Sequence, residues 1–127
     1  MEKEIISYIL PEGLLEYFII TKLEEIIEEA SKAKVLLIEL EEKNQIPAGY
    51  DGIQYESKGF YPGKQIHDFP IRDRAVSLVI KRRRWRHKVN KNEVIHNDYP
   101  LFAEGSKITQ ELSDFLKGIG RDSGIYD

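Results

Sequence analysis

One stretch of the chain alternates strictly between apolar and polar residues, a pattern that predicts a β-strand. Val76, Leu78 and Ile80 fall on one side of this stretch, and we expect that side to be buried. Residues 91–92 then predict a hairpin turn, from which residues 93–95 return as a further strand. The centre of the chain is therefore expected to form a small antiparallel sheet.

The last element is predicted by helical spacing. Apolar residues recur every three or four positions over 106–119, and Ser106 is suited to cap the first turn of an amphipathic helix. Gly118 and Gly120 are expected to end this helix, and a short extended piece is expected before it, over 99–103. The apolar stripe of the helix consists of Ile108, Leu112, Phe115, Leu116 and Ile119.

The N-terminal residues predict two short helices. Isoleucines stand at helical spacing within residues 2–9, and Pro11 stops that pattern. Leu14, Leu15 and Phe18 allow a second helical turn after the proline. Both helices are expected to cover one edge of the core.

Residues 18–42 fit two different structures. One is a β-hairpin with strands over about 18–28 and 34–42, which the β-branched residues near the start of the segment favour. The other is a single helix over 21–32, since apolar residues also recur there at helical spacing. We choose the hairpin and keep the helix as the alternative.

Turn-forming glycines and prolines fill residues 44–63, and four aromatic residues lie between them. Such aromatic side chains can stack on nucleic-acid bases, but between turns we expect them to cap a small core. They are Tyr50, Tyr55, Phe60 and Tyr61.

These elements together predict an α+β fold in a single domain over 1–120. Its parts are an acidic helix and hairpin segment over 1–44, a β segment over 45–105 and the helix over 106–119, with a frayed tail over 121–127. A chain of 127 residues with 41% apolar residues suits one buried core. No cysteine is present, and no apolar run is long enough for a membrane span, so we expect a cytoplasmic protein.

Charge is distributed very unevenly along the chain. The net charge is −3, yet residues 81–91 carry seven Lys or Arg, no acid and the single tryptophan. The remainder holds 12 Lys+Arg against 22 Asp+Glu. Positive charge is thus concentrated at one place on an otherwise acidic chain, which points to an anionic partner.

The basic run continues the strand that contains Val76. If the alternation persists, Arg82, Arg84 and Arg86 follow the apolar side, whereas Arg83 and Trp85 follow the other. Unpaired guanidinium groups are too costly to bury. We therefore expect the end of the strand to leave the core and to project as a basic ribbon or to lie over a partner.

Arginine suits bidentate contacts with phosphate and guanine, and tryptophan can stack on a base or pack on a sugar. A two-stranded ribbon also fits the major groove of DNA. If four or five charges meet phosphates, log affinity should fall with log salt with a slope of about −4. The same chemistry admits RNA or an acidic protein, and a simpler interpretation pairs the run with the chain's own glutamates. The predicted contact residues are Lys81, Arg82, Arg83, Arg84, Trp85, Arg86, Lys88 and Lys91.

Catalytic and metal sites are not indicated. His67 and Asp68 are adjacent, so in a strand they point to opposite faces and would not form a base and its orienting carboxylate. His87 and His96 would need two further ligands to hold zinc. We therefore expect no enzyme activity, no metal and no cofactor. The alternative of an enzyme would be supported if Asp68 and Asp98 lay close enough together to bridge a metal ion.

Several blocks of the sequence resemble a known family. Asp68-Phe69-Pro70-Ile71, the alternating strand, the arginine run before Trp85 and a helix opened by Thr109 stand in the order found in bacterial insertion-sequence transposases of the "L-three" lineage. The resemblance covers about residues 46–117 and concerns the N-terminal region, a zinc-ribbon-like domain that precedes the catalytic part. Residues 8–15 and 40–44 resemble a subgroup in which this region is a separate short reading frame.

The chain departs from that family at the metal site. Family members hold cysteine pairs where this chain has residues 55–59 and where it has His87. The resemblance therefore implies metal-free, degenerate zinc-ribbon-like hairpins and does not extend to zinc. It implies DNA contacts for Arg82, Arg83, Arg84 and Arg86, and none of the family's catalytic carboxylates.

From the residues and the resemblance together we predict a non-catalytic N-terminal component of a transposase. It would recognise the terminal repeats of the element through the basic ribbon. The resemblance also implies a bacterial protein that is associated with the nucleoid. The alternative is a protein-interaction module that docks on a separately encoded catalytic transposase subunit or on another acidic partner.

Overall fold

The structure, a computed structural model, describes residues 8–99 and 109–121. These residues form an α+β fold, as the sequence predicts, with strands in two sheets, a helical turn near the N-terminus and a C-terminal helix. In chain order the elements are α1 (Leu14–Tyr17), β1 (Phe18–Ile27), β2 (Lys34–Glu42), β3 (Tyr55–Phe60), β4 (Lys64–Ile71), β5 (Arg74–Lys81), β6 (Arg83–His87), β7 (Val94–Ile95) and α2 (Gln110–Arg121).

Four strands form the first sheet in the order β1-β2-β5-β4, and three form the second in the order β3-β6-β7. All neighbours are antiparallel except β2 and β5, which run parallel with Leu36 opposite Val76. The sequence predicted one antiparallel sheet, whereas the structure has two sheets, and one of them contains a parallel pair of strands. Because β2 pairs with β5, the first sheet contains strands from both the 1–44 segment and the 45–105 segment of the predicted single domain.

The hairpin predicted over residues 18–42 is confirmed, and the alternative helix over 21–32 is wrong. β1 pairs with β2 from Phe18 opposite Glu42 to Ile27 opposite Lys34, with a bulge at Thr21. Isoleucine and threonine are stiff at their branched Cβ atoms and favour a pleated sheet over a helix. The turn closes through a 2.9 Å hydrogen bond from the Glu28 N–H to the Ala33 carbonyl.

The first sheet buries one face. Val76, Leu78 and Ile80 are each at most 2% exposed, which confirms the buried side predicted for this strand. Ser77 is also buried, and its hydroxyl oxygen accepts a 2.6 Å hydrogen bond from the Gln65 amide. The core on this face consists of Leu10, Leu14, Phe18, Ile38, Leu40, Ile66, Val76, Leu78 and Ile80. The predicted helical turn α1 supplies Leu14 to it.

A buried carboxylate joins the two sheets. Glu42 ends β2, is 1% exposed, and accepts hydrogen bonds from the Arg83 N–H at 3.0 Å, the Asn97 amide at 3.1 Å and the Tyr99 hydroxyl at 2.6 Å. Burial, followed by the Glu42 hydrogen bond and charge, raises the pKa of Tyr99. Glu42 therefore fixes the first residue of β6 against the end of β2.

The predicted C-terminal helix is present but begins later and ends later than expected. Thr109 precedes it, and its hydroxyl oxygen accepts the Leu112 N–H at 3.3 Å, the geometry of a helix cap. The helix then runs to Arg121, past both glycines that were expected to stop it. Phe115 and Leu116 of the predicted apolar stripe are 53% and 50% exposed, so the described residues cover this stripe only in part.

Some predictions lie wholly or mostly outside the described residues. They are the helix over 2–9, the extended piece over 99–103, the Ser106 cap, Ile108 and the tail after residue 121. Within the described ranges, neither helix combines the length and the apolar character that crossing a membrane requires.

Candidate nucleic-acid interface

The basic run is divided between the two sheets. Lys81 ends β5, Arg82 lies outside both strands, and Arg83 begins β6 in the second sheet. The predicted continuous alternation is therefore interrupted at Arg82, where the chain leaves the first sheet. Each cation of the run has a different set of neighbours as a result.

The side chain of Arg82 is held within the protein. Its Nη2 atom donates to the Asn97 carbonyl and to the Asp98 carboxylate at 3.0 Å, and lies 3.1 Å from Nδ1 of His96. Asp98 is itself 84% exposed. Arg82 therefore anchors the segment that follows β7, with only part of its guanidinium open to solvent.

The side chain of Arg83 makes more contacts within the protein than that of Arg84 does. Its Nη1 donates to the Ser57 hydroxyl at 2.7 Å and its Nε to the Glu42 carbonyl at 3.3 Å. The guanidinium carbon lies 4.6 Å from the centroid of the Phe60 ring, a cation–π contact. These contacts hold β6 against β3, so Arg83 acts as a structural residue.

Trp85 is the centre of a second, smaller core. The indole is 2% exposed and packs with Tyr55 and Ile95, with Ile46 beside them. Its Nε1–H donates to the Asn44 side-chain oxygen at 3.2 Å. The ring therefore has no face available to stack on a base, and Trp85 is removed from the contact residues predicted from sequence.

Of the four aromatic residues predicted to cap a small core, Tyr55 is 8% exposed and belongs to it, whereas Tyr50 is 46% exposed. The Tyr55 hydroxyl donates to the Glu93 carboxylate, and this hydrogen bond, with burial and the Glu93 charge, raises the pKa of Tyr55 to about 12. His87 stands opposite Tyr55, and its Nδ1 accepts the N–H groups of Val89 and Asn90 at 3.1 and 2.9 Å. His87 thus shapes the turn predicted at residues 91–92, which is present before β7.

The other face of the second sheet carries the remaining cations. In the register of β3 and β6, Glu56 is opposite Arg86, on the side away from Trp85. Arg84 lies on this side too, is exposed, and donates from Nε to the Lys58 carbonyl at 3.0 Å. We call this surface the cationic face, and its charged residues are Glu56, Lys58, Arg84, Arg86 and Lys91.

Glu56 is the one acid among four cations. Its Oε1 lies 3.5 Å from the amines of Lys58 and Lys91, and 3.9 Å from Nη2 of Arg86. Burial acts to raise its pKa, but the charges of the two lysines outweigh burial and hold the pKa of Glu56 below its ordinary value. The carboxylate thus stays ionised while it partly neutralises the face.

Lys88 and Lys81 complete the predicted set. Lys88 directly follows β6 and is exposed, and its N–H pairs with the Gln54 carbonyl at 2.8 Å. Lys81 belongs to the first sheet and lies beside Gly63. The structure therefore brings Arg84, Arg86 and Lys91 to one face, places Lys88 just beyond β6, and leaves Lys81 apart.

Lys58 and Glu56 were missed by the sequence reasoning. They belong to a short stretch whose pairing with β6 brings them beside the arginines. The sequence does show charged residues within this turn-rich segment, but it does not show which strand the segment pairs with. Only the register of β3 against β6 identifies them.

The remaining polar residues considered for catalysis are not assembled into a site. His67 is exposed and Asp68 is 7% exposed, so they occupy opposite faces of β4, as expected. Asp68 accepts the Thr109 hydroxyl at 2.9 Å, and burial raises its pKa. Asp98 instead contacts Arg82 and His96. Across residues 8–99 and 109–121, no cluster of His, Asp and Glu has the composition of a metal site.

Comparisons with protein-family models, with curated proteins and with solved structures give no significant match.

Proposed function

We propose that this chain is a non-catalytic DNA-binding protein whose cationic face contacts the phosphate backbone. The observation that supports the proposal is the placement of Lys58, Arg84 and Arg86 on one face of the second sheet, with Lys91 reaching Glu56 from the turn before β7. Glu56 is the one acid among them. The chain as a whole is acidic, with a net charge of −3, so attraction of a polyanion needs a local concentration of cations such as this face.

Backbone contact is the mode that this face suits. Its cations are long, partly exposed side chains. Arg84 donates one hydrogen bond, from Nε, which leaves its two terminal nitrogens available for a phosphate. Neutralising about four phosphates gives a slope of about −4 for log affinity against log salt. The buried Trp85 supplies no base stacking, so sequence preference would come from arginine contacts in a groove or from DNA shape.

The resemblance to transposase N-terminal regions suggests which DNA to try first. In that family the corresponding region accompanies a catalytic subunit and acts at the ends of the element. We therefore propose terminal repeats of an insertion sequence as the target, with a separately encoded catalytic transposase as the partner.

The test is a titration of labelled duplexes at several salt concentrations, using element ends and a shuffled duplex of equal length. Replacing Arg84 and Lys91 by Ala is expected to weaken binding about tenfold or more and to reduce the salt slope from about −4 to about −2. A matched control replaces Lys34 and Lys64, two exposed lysines of the first sheet, by Ala. Equal losses in the two double variants, or a wild-type affinity that does not depend on salt, would sink the proposal.

A protein partner is the second candidate, because apolar residues interrupt the charge near the cationic face. Val94 is opposite Arg86 and 44% exposed, and Val89 is 86% exposed. Mixed apolar and cationic surface is suited to an acidic protein. Salt-insensitive DNA titrations, together with direct binding to the purified catalytic subunit that Val94→Asp abolishes, would favour this candidate.

A further inference from the structure

The two edges of the first sheet differ. On the outer side of β4, the Thr109 N–H donates to the His67 carbonyl at 3.0 Å, and Pro70 has no N–H to offer. That edge is therefore partly occupied by the chain itself. At the other edge, β1 has β2 as its single strand neighbour among the described residues.

β1 has an unusual surface for an edge strand. It is 10 residues long, and four of its large apolar side chains are 40–61% exposed: Ile19, Leu23, Ile26 and Ile27. Long apolar edges pair readily with other strands, and proteins commonly protect them with charges and bulges. Here the charged residues are grouped in the middle, at Lys22, Glu24 and Glu25, and a bulge lies at Thr21. The apolar residues remain exposed on either side of them.

The charges of β1 are self-complementary in one antiparallel arrangement. If Leu23 lies opposite Leu23 of a second copy, each Lys22 lies opposite a Glu24 on the same face of the sheet. A pairing centred on Lys22 would oppose two lysines, and one centred on Glu24 would oppose two glutamates. Like charges directly opposite destabilise a ladder. The charge pattern therefore selects the pairing centred on Leu23.

Lys22 and Glu24 are both placed to exchange their ion pair within one copy for ion pairs between two copies. Within one copy the amine of Lys22 and the carboxylate of Glu24 lie 3.4 Å apart, and their side chains are 48% and 41% exposed. They stand on one face, two positions apart, so each can turn from its neighbour to the opposed strand. The half-exposed Leu23 lies between them, on the other face of the strand.

We propose that β1 pairs antiparallel with β1 of a second copy of this chain, with Leu23 at the two-fold axis and Lys22 opposite Glu24. The two four-stranded sheets then form one continuous sheet of eight strands. The dimer covers the exposed apolar residues near the middle of β1. It leaves both cationic faces open, because these belong to the second sheet of each copy.

Charge exchange tests the proposal by sedimentation or light scattering over a range of protein concentrations. Lys22→Glu opposes two glutamates in each pair, and Glu24→Lys opposes two lysines. Each single variant is expected to raise the dimer dissociation constant about tenfold or more. An equimolar mixture of the two single variants should recover association, since every pair across the mixed dimer is then of opposite charge. The double variant Lys22→Glu with Glu24→Lys should recover it as well.

Glu29→Lys is the matched control, because it makes the same charge change as Glu24→Lys in an exposed residue beyond the end of β1. It should associate like the wild type. Circular dichroism melting shows whether each variant is folded. If a single variant does not fold, the double variant still tests the proposal, because it restores opposite charges across the pair. A wild-type chain that is monomeric at about 100 μM overturns the proposal. So does a dimer that both single variants leave unchanged, which would place the contact on another surface.

Discussion

The backbone N–H of Arg83 donates to the buried carboxylate of Glu42 at 3.0 Å, across 41 positions of sequence. Glu42 is the last residue of one strand and Arg83 the first of another, in different sheets. The same carboxylate accepts the Tyr99 hydroxyl and the Asn97 amide through its second oxygen. Three donors therefore converge on one side chain that is nearly inaccessible to water.

Glu42→Gln is expected to destabilise the fold by about 1–3 kcal/mol. An amide has one acceptor oxygen instead of two, so one of the three donors must face an NH₂ group. The free energy of unfolding in urea measures the change. Glu39→Gln, which removes a charge from a less buried position of the same strand, should have a much smaller effect. Equal midpoints for both variants and the wild type would contradict the role given to Glu42.

Trp85 is expected to report on the small core and not on DNA. As the single tryptophan, it should emit at the short wavelengths of a buried indole, and saturating DNA should leave its intensity unchanged. Binding is followed independently through the anisotropy of labelled DNA. Quenching that tracks the bound fraction would mean that the ring leaves its site among Tyr55 and Ile95 to stack on a base.

Glu56→Gln is expected to strengthen DNA binding several-fold at low salt. The substitution removes the one negative charge on the cationic face and releases Lys58, Arg86 and Lys91 from competing ion pairs. Affinity is measured on the same duplex as for the wild type. Glu29→Gln removes an equal charge from the turn between β1 and β2, in the other sheet, and its effect on affinity measures how much of the gain comes from net charge alone. Weaker binding by Glu56→Gln would show that the carboxylate positions the cations for the ligand.

Asp68 is expected to make stability depend on acid pH. Burial, with a smaller contribution from the charge of Glu111, raises its pKa in the folded chain, against the hydrogen bonds from the Phe69 N–H and Thr109. The folded chain then holds this proton to higher pH than the unfolded chain. Stability linked to Asp68 is complete below the ordinary carboxyl pKa and is lost as pH rises through the raised value.

Asp68→Asn removes this dependence because it cannot ionise. The unfolding free energy of the variant should therefore improve relative to the wild type as pH rises through that acid window, whatever the constant difference between them. Urea denaturation of both proteins at a series of pH values measures the change. A difference that is independent of pH, or one of opposite sign, would contradict the raised pKa.

Local pattern was enough to predict the hairpin of β1 and β2, the buried side of β5 and the C-terminal helix. In each case the decisive property was carried by neighbouring residues, such as branched side chains or the alternation of Val76 and Leu78. The parallel pairing of β2 with β5 was not predictable in this way. It joins Leu36 to Val76 across 40 positions, and no local preference specifies it.

The division of the basic run has the same origin. Alternation alone predicted that the strand continues through Arg82 and that Trp85 lies on an exposed ribbon. The chain instead changes sheets at Arg82, since the N–H of Arg83 is held by Glu42 and Trp85 finds a partner in Asn44. Both of these partners lie 41 positions away. Which arginines face outward is therefore decided by tertiary contacts.

The alternation of strands between the two sheets has a consequence for hydrogen exchange. β1 and β2 enter the first sheet, β3 the second, β4 and β5 the first again, and β6 and β7 the second. Neither sheet is formed by a continuous segment of the chain. Unfolding of one sheet therefore displaces the ends of segments that form the other sheet. Amide protons of both sheets should then exchange through a shared opening, and a ligand that holds β6 in place should slow exchange in β2 and β5 as well.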